Sequence, residues 1–112
     1  MTSLPRGDKA IVDIRKIEDY CLNPSHPRGK HKARLFLAAL SIQRSDAVWL
    51  RESLLDAAAR SGEAIQIAAD AWGTYWRLDA RIVRQARSAV VRTIWMVRTD
   101  EAGPRLLTCW VL

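Results

Sequence analysis

Apolar positions in the first half of the chain recur every three to four residues, which is the spacing of an amphipathic helix. This period predicts a helix over residues 13–22 and a second helix over residues 30–40. Ser45 or Asp46 is placed to cap a third helix, and Gly62 is placed to end it. The broad apolar stripe predicted for the third helix consists of Val48, Trp49, Leu50, Leu54, Leu55 and Ala58.

The second half of the chain changes to a period of two, which is typical of half-buried strands. The alternating apolar positions are Trp76, Leu78, Ala80 and Ile82. Residues 88–98 and 105–112 are β-branched, apolar runs, and the loop between them predicts a hairpin. Ile65 and Ile67 could add a short fourth strand. This order predicts an α+β domain, with two to three N-terminal helices packed on a three- to four-stranded antiparallel sheet.

The length of 112 residues is enough for one hydrophobic core. We expect residues 1–12 to be a flexible leader and residues 13–112 to be a single α+β domain. No apolar run approaches the roughly 20 residues that span a membrane. Cys21 and Cys109 are expected to be buried, reduced thiols without the spacing of metal ligands. These features predict a cytoplasmic protein with no membrane contact, no metal and no cofactor.

Charge is distributed unevenly along the chain. Eighteen Lys and Arg residues against twelve Asp and Glu give a net charge of +6, whereas residues 45–70 are net acidic, with five acidic and two basic side chains. The flanking parts are basic, and arginine, which binds phosphate through a planar fork, is the commoner cation. Such segregation suits a polyanion or an acidic protein as partner. Walker, dinucleotide-binding, zinc-protease and nucleophile-elbow motifs do not occur, which disfavours those enzyme classes.

The most basic stretch, residues 22–36, holds both histidines of the chain, His26 and His31. Its cations are Arg28, Lys30, Lys32 and Arg34. Two prolines and a glycine resist regular structure, so a basic loop is expected to enter the second helix near Lys30. A helix N-terminus that also carries cations is a place for an anion, most plausibly a phosphate.

The same stretch carries a family resemblance. It reads Asn23-Pro24-Ser25-His26-Pro27-Arg28-Gly29-Lys30-His31-Lys32-Ala33-Arg34-Leu35-Phe36. The chain resembles an uncharacterised bacterial domain family of unknown function, whose pattern is Asn-Pro-x-His-Pro-x-Gly-x-x-Lys-Ala-x-x-Phe followed by a Gly-x-x-Tyr/Trp strand and a C-terminal hairpin. The hairpin residues that match are Thr93, Trp95, Val97, Pro104-Arg105-Leu106 and Thr108.

More loosely, helices that precede an antiparallel sheet, with a Lys/His-bearing helix and this hairpin, resemble the barnase–EndoU–colicin–RelE class of ribonuclease toxins. That resemblance implies a metal-independent ribonuclease of a bacterial toxin–antitoxin or related conflict system. Cleavage would use acid/base chemistry at a basic cleft between helix and sheet. The partners implied are RNA and a small acidic antitoxin or immunity protein.

Metal-free RNA cleavage needs a base for the 2′-hydroxyl, an acid for the leaving 5′-oxygen and cations for the charge on phosphorus. A histidine titrates in the right range, and the lysines beside His31 disfavour its protonated form, so His31 is a reasonable general base. The predicted catalytic residues are His31, Lys32, Thr93 and Thr108. The predicted RNA-binding residues are Arg28, Lys30, Arg34, Arg92 and Arg105.

Other interpretations of these residues stay open. His31 also fits a solvated position on the helix, His26 fits a residue that orders its loop, and the strand threonines fit packing positions. Arg92 and Thr93 point to opposite faces of a strand unless a bulge intervenes. Two other functions also remain: a non-catalytic nucleic-acid-binding module, which would bind without cleaving, and an accessory protein that docks an acidic partner.

Overall fold

The structure is a computed structural model that describes residues 2–60 and 62–112. The described residues form a group of helices followed by an antiparallel sheet. The helices are α1 (Ile14–Lys16), which continues as a π-helical turn over Ile17–Cys21, α2 (Lys30–Leu40) and α3 (Ala47–Arg60). Short 3-10 turns lie at Gly7–Lys9 and Arg44–Asp46. The strands are β1 (Ala64–Asp70), β2 (Gly73–Arg84), β3 (Arg87–Arg98) and β4 (Arg105–Val111).

The strands form an antiparallel meander in the order β1-β2-β3-β4, so that β1 and β4 are the edges of the sheet. β2 and β3 pair along their whole length, from Gly73 opposite Arg98 to Arg84 opposite Arg87. The predicted α+β class is confirmed, with the helices N-terminal to the strands. The helix predicted over residues 30–40 is α2, with the same bounds.

The core lies between the helices and one face of the sheet. The period-two pattern of β2 is confirmed, because its apolar positions are buried: Trp76, Leu78, Ala80 and Ile82. α2 contributes Phe36 and α3 contributes Leu50, and both side chains are fully buried. Burial of such a side chain stabilises the fold by about 1.5–3 kcal/mol. These contacts fix α2 against the sheet and so position its polar residues.

Some apolar residues lie outside this core. Val48 is 61% exposed, so its predicted place in the buried stripe of α3 is wrong; the buried residues of α3 are Ala47, Leu50, Leu54 and Ala58. The predicted fourth strand is present as β1, but Ile65 and Ile67 are exposed on it. Among the described residues, no helix is both long and apolar enough to cross a lipid bilayer.

The predicted flexible leader, residues 1–12, packs on the domain over its described part, residues 2–12. Leu4 and Val12 are buried. Ile11 donates a backbone hydrogen bond to the Pro104 carbonyl at 2.8 Å and accepts one from the Leu106 amide at 3.0 Å. The prediction of a free leader is therefore corrected. Leu4 and Val12 carry no periodic signal, and a parallel bridge between Ile11 and Arg105 of β4 holds the segment in place.

Gly29 determines how closely α2 approaches the π-helical turn. A Cβ atom at this position would overlap the carbonyl oxygen of Tyr20. Only glycine lets the two backbones meet without displacement. α2 then ends where Ser41 takes a left-handed conformation, with φ of 56°. The loop before α2 thus brings the first turn of the helix beside Tyr20.

Candidate functional site

Lys32, in the first turns of α2, connects three parts of the fold. Its Nζ atom donates a hydrogen bond to Oγ1 of Thr108 at 2.8 Å and another to the hydroxyl of Tyr20 at 3.1 Å. The same Nζ lies 4.8 Å from the ring centre of Tyr20 and 5.1 Å from that of Trp110. Among the described residues Lys32 has no carboxylate partner. A half-buried ammonium held only by hydroxyls and aromatic rings is a site for an anion.

An open groove of about 720 Å³ surrounds this ammonium, and we call it the Lys32 groove. It is lined by Asp13, Arg15, Lys16, Asp19, Tyr20, His26, Arg28, Lys32, Leu107 and Thr108. Both lining carboxylates are already neutralised: Asp13 pairs with Arg15 at 2.8 Å, and Asp19 pairs with Arg44 at 2.7 Å. The hydrogen bond from Arg15 lowers the pKa of Asp13 to about 2. Cationic charge therefore dominates the groove.

A β-bulge in β4 brings Thr108 to the groove. Ile94 is opposite Thr108 and Trp95 is opposite Leu106, so Leu107 is an extra residue in the ladder. Leu106 and Cys109 are three positions apart, yet both are buried. The extra residue restores the inward direction of Cys109 and bends the edge strand. As a result, the hydroxyl of Thr108 meets the side chain of Lys32.

His26 both orders the loop and lines the groove. Its Nδ1 atom accepts hydrogen bonds from the backbone N–H groups of Arg28 and Gly29, each at 3.0 Å. Its ring packs edge-on against Tyr20, with ring centres 4.8 Å apart and an angle of 84°. Because Nδ1 is an acceptor, the proton of the neutral ring lies on Nε2, which is a donor. The loop-ordering interpretation of His26 agrees with these contacts.

His31 does not join Lys32 and Thr108 in this groove. Its side chain is exposed, and it does not line the groove. Neighbouring residues on a helix point about 100° apart, so two consecutive side chains do not share a face. The structure therefore brings Lys32 and Thr108 together, as predicted, but does not place His31 with them.

Thr93, the other predicted catalytic hydroxyl, is fully buried. Its Oγ1 donates to the Leu78 carbonyl at 2.6 Å and accepts a hydrogen bond from Nε1 of Trp95 at 2.7 Å. The core-facing direction of this strand position takes the hydroxyl away from solvent. Thr93 thus satisfies polar groups inside the core and does not contribute to the surface site predicted for it.

The predicted RNA-binding cations separate into two groups. Arg92 pairs with Asp79 at 2.9 Å, and Arg105 pairs with Glu101 at 2.6 Å. The hydrogen bond from Arg105 lowers the pKa of Glu101, so this carboxylate stays charged beside it. The other cations, Arg28, Lys30 and Arg34, have no carboxylate partner in the described part of the chain. Only this second group offers free positive charge to a ligand.

Free cations lie on both sides of α2. Arg28 lines the Lys32 groove. Lys30 and Arg34, four residues apart on one helix face, line a second groove of about 460 Å³. Leu37, which is exposed, contributes apolar surface there. The basic stretch therefore lines two concave surfaces that share no lining residue, and of these two only the first includes the hydroxyls of Tyr20 and Thr108.

Two contributors to the site were not predicted. Neither Tyr20 nor Trp110 is among the predicted site residues. A tyrosine at the border of an amphipathic stripe is the one local signal that could have indicated Tyr20, since its ring packs while its hydroxyl reaches a polar partner. No local signal indicates that Trp110 lies beside Lys32, because that contact joins residues far apart in the sequence.

Comparison with protein families identifies the chain. A family model described as a domain of unknown function (DUF6883) matches residues 3–112. The chain belongs to this family. The predicted membership in an uncharacterised domain family is thereby confirmed, and the DUF6883 match includes both grooves. No curated protein and no solved structure matches the chain.

Proposed function

We propose that this DUF6883 domain is a metal-independent ribonuclease that acts as a toxin in a bacterial toxin–antitoxin or related conflict system. The observation that carries the proposal is the ammonium of Lys32, which is half-buried between the hydroxyls of Tyr20 and Thr108 and has no carboxylate partner among the described residues. Such a group binds a phosphate oxygen strongly, because the partly desolvated charge lacks a counter-ion. The architectural resemblance to ribonuclease toxins supports the same class as an analogy of fold.

The Lys32 groove supplies several of the functions that RNA cleavage requires. Lys32 and Arg28 would stabilise the negative charge that develops on phosphorus as the 2′-hydroxyl attacks. The oxygen of Tyr20 accepts from Lys32, so its O–H remains free to donate a proton to the leaving 5′-oxygen. The Nε2–H of His26 would donate to a phosphate oxygen. The free cations Lys30 and Arg34 would hold the flanking backbone.

A second candidate function is RNA binding without cleavage. His26 uses Nδ1 as an acceptor for two backbone amides, and His31 lies outside the groove. Among its described residues, the Lys32 groove therefore contains no imidazole nitrogen that is free to accept the proton of the 2′-hydroxyl. This geometry favours binding over proton abstraction, so the experiment must separate the two activities.

The test uses purified protein, a single-stranded RNA and buffer containing EDTA. We expect cleavage to fragments with 2′,3′-cyclic phosphate ends, and we expect Lys32→Ala to abolish it. His31→Ala is the matched control, because it removes an adjacent exposed side chain and should leave cleavage unchanged. Circular dichroism verifies that both variants are folded. If Lys32→Ala cleaves RNA as fast as the unchanged protein, the proposed active centre is wrong. Intact RNA bound in a Lys32-dependent manner would establish the second candidate.

We also propose that a small acidic protein is the natural inhibitor. The net charge of +6, and the cations lining both grooves that lack a carboxylate partner in the described part of the chain, suit an acidic antitoxin or immunity protein that covers the grooves. Expression of the domain in a bacterium should stop growth, and co-expression of an acidic protein encoded beside it should restore growth. A domain that binds such a protein but neither binds nor cleaves RNA would instead be an accessory protein.

A further inference from the structure

Two thiols lie directly behind the Lys32 groove. Cys21 ends the π-helical turn and Cys109 lies in β4, 88 positions apart in the sequence. Their Sγ atoms are 3.7 Å apart, and both side chains are fully buried. Each cysteine follows a groove residue in the sequence, since Cys21 follows Tyr20 and Cys109 follows Thr108. The tertiary fold thus places both sulfur atoms in contact beside the proposed site.

The environments of the two sulfur atoms differ. The Cys109 thiol donates a hydrogen bond to Sγ of Cys21, which lowers the pKa of Cys21 to about 7 against the opposing effect of burial. The charge of Lys32 acts in the same direction. Donation to Cys21, together with burial, raises the pKa of Cys109. Cys21 is therefore the more nucleophilic thiol, and Cys109 is placed to react second.

We propose that Cys21 and Cys109 are a redox-active pair that forms a reversible intramolecular disulfide on exposure to a peroxide. The Cys21 thiolate attacks one peroxide oxygen, the O–O bond breaks, and Cys21 becomes a sulfenic acid while hydroxide leaves. Cys109 sulfur then attacks the Cys21 sulfur, and the sulfenic oxygen leaves with the Cys109 proton as water. Two thiols are oxidised by two electrons, and one peroxide is reduced. A dithiol reductant reverses the reaction.

The geometry requires only a small displacement for this bond. A disulfide has sulfur atoms about 2.05 Å apart, so the two side chains must approach by less than about 2 Å. Tyr20 and Thr108, which adjoin the cysteines, both hydrogen-bond to Lys32. Their displacement would loosen the bonds that hold this ammonium. Oxidation should therefore weaken the Lys32 groove; this consequence rests on the proposed function, whereas disulfide formation does not.

The first experiment tests disulfide formation in the unchanged protein and needs no variant. The reduced protein is treated with hydrogen peroxide, then examined by thiol counting, intact mass and peptide mapping. We expect loss of two hydrogen atoms, a peptide cross-linked between Cys21 and Cys109, a monomer on a non-reducing gel and full recovery with dithiothreitol. The proposal is overturned if both thiols remain free, oxidise separately to acids or cross-link between molecules.

Variants separate the roles of the two thiols. In Cys109→Ala, the Cys21 sulfenic acid has no second thiol to react with and should be trapped by dimedone. In Cys21→Ala, the remaining Cys109 should give no adduct under the same conditions. A dimedone adduct on Cys109 in the Cys21→Ala variant, with no adduct on Cys21 in the Cys109→Ala variant, would overturn the assigned order of reaction. Because a cysteine-to-alanine substitution in the core lowers stability, circular dichroism compares the folding of both variants with that of the unchanged protein. The peptide mapping of the unchanged protein does not depend on either variant.

RNA binding is measured on the oxidised and reduced protein as a separate outcome. Loss of one hydrogen bond to Lys32 should weaken RNA affinity about tenfold, which corresponds to 1.4 kcal/mol. Equal affinity of both forms would overturn the coupling between the thiols and the groove. If neither form binds RNA, the proposed function fails while the cross-link result remains, so the two failures are distinguishable.

Discussion

The Nζ atom of Lys32 donates a hydrogen bond to Oγ1 of Thr108 at 2.8 Å, and this bond joins α2 to the edge strand β4 across 76 positions of sequence. The contact depends on two distant features: the bulge at Leu107, which turns Thr108 toward the groove, and Gly29, which lets α2 approach Tyr20. Each feature can be altered separately, so the site and its support can be tested independently.

Thr108→Val should weaken RNA binding while leaving the fold intact. Valine keeps the shape of the side chain and removes the hydroxyl that accepts from Lys32. Hydrogen bonds to charged groups contribute about 1.5–3 kcal/mol, so we expect a loss of affinity of about tenfold or more. Fluorescence anisotropy with a labelled RNA measures the affinity, and thermal unfolding measures stability. An unchanged affinity in a folded variant would show that the hydroxyl does not help to position Lys32 for RNA.

The salt dependence of RNA binding should separate the free cations from the paired ones. Each phosphate contact to single-stranded nucleic acid contributes about 0.7 to the slope of log K against log salt concentration. Arg28→Ala and Arg34→Ala should each reduce the slope by about that amount, because these cations have no carboxylate partner within residues 2–60 and 62–112. Arg92→Ala and Arg105→Ala are the matched controls, since Asp79 and Glu101 already neutralise those side chains. Equal slopes for all four variants would contradict this division.

Gly29→Ala should destabilise the protein through a single contact. The new Cβ atom would overlap the Tyr20 carbonyl oxygen, and backbone must move to relieve it. Overpacking of this kind costs about 1–3 kcal/mol. Urea denaturation measures the change, with Ser25→Ala, an exposed substitution in the same loop, as control. Similar stability for both variants would mean that α2 and the π-helical turn do not approach as closely as described.

The sequence predicts those features of the fold that depend on local pattern. The period of two in β2 and the bounds of α2 are visible in consecutive residues, because one face of each element is buried. The site depends on contacts between distant segments. His31 and Lys32 are neighbours in the same basic stretch, so the sequence does not show which of them points toward the sheet. The packing of α2 against the sheet directs Lys32 to β4. The bulge at Leu107 leaves no local signal in a run of apolar residues. Lys32 and Thr108 could therefore be predicted for one site, but which of His31 and Lys32 contacts Thr108 could not.

Thr93→Val tests the structural role of the buried hydroxyl. The substitution removes the partner of the Leu78 carbonyl and of the Trp95 indole N–H. Leaving buried polar groups unpaired costs about 1–3 kcal/mol. We therefore expect a lower free energy of unfolding and unchanged RNA affinity under conditions where the variant remains folded. Thr99→Val, in an exposed loop, should change stability little. A loss of RNA affinity without a loss of stability would show that Thr93 contributes to RNA binding.

Stability should depend on pH through Asp46, which caps the 3-10 turn before α3 and pairs with Arg84 at 3.1 Å. The hydrogen bond from Arg84, followed by that from the Gln43 amide, holds the pKa of Asp46 below its usual range. Because the pKa is lower in the folded state than in the unfolded state, the stabilisation is complete above the unfolded pKa of about 3.9 and is lost as the pH falls through the folded value.

Asp46→Asn should therefore destabilise the protein at pH 7 by about 0.2–1 kcal/mol, the contribution of a solvent-accessible ion pair, because asparagine can still cap the turn but no longer carries the charge that pairs with Arg84. The difference in free energy of unfolding between the variant and the unchanged protein should shrink progressively below pH 4, because protonation removes the same charge from Asp46. Asp100→Asn is the control: Asp100 pairs with Arg98 at 2.9 Å in an exposed loop, where solvent screens the pair. Urea titrations at a series of pH values measure both variants, and a constant difference across that series would assign the effect of Asp46 to packing instead of charge.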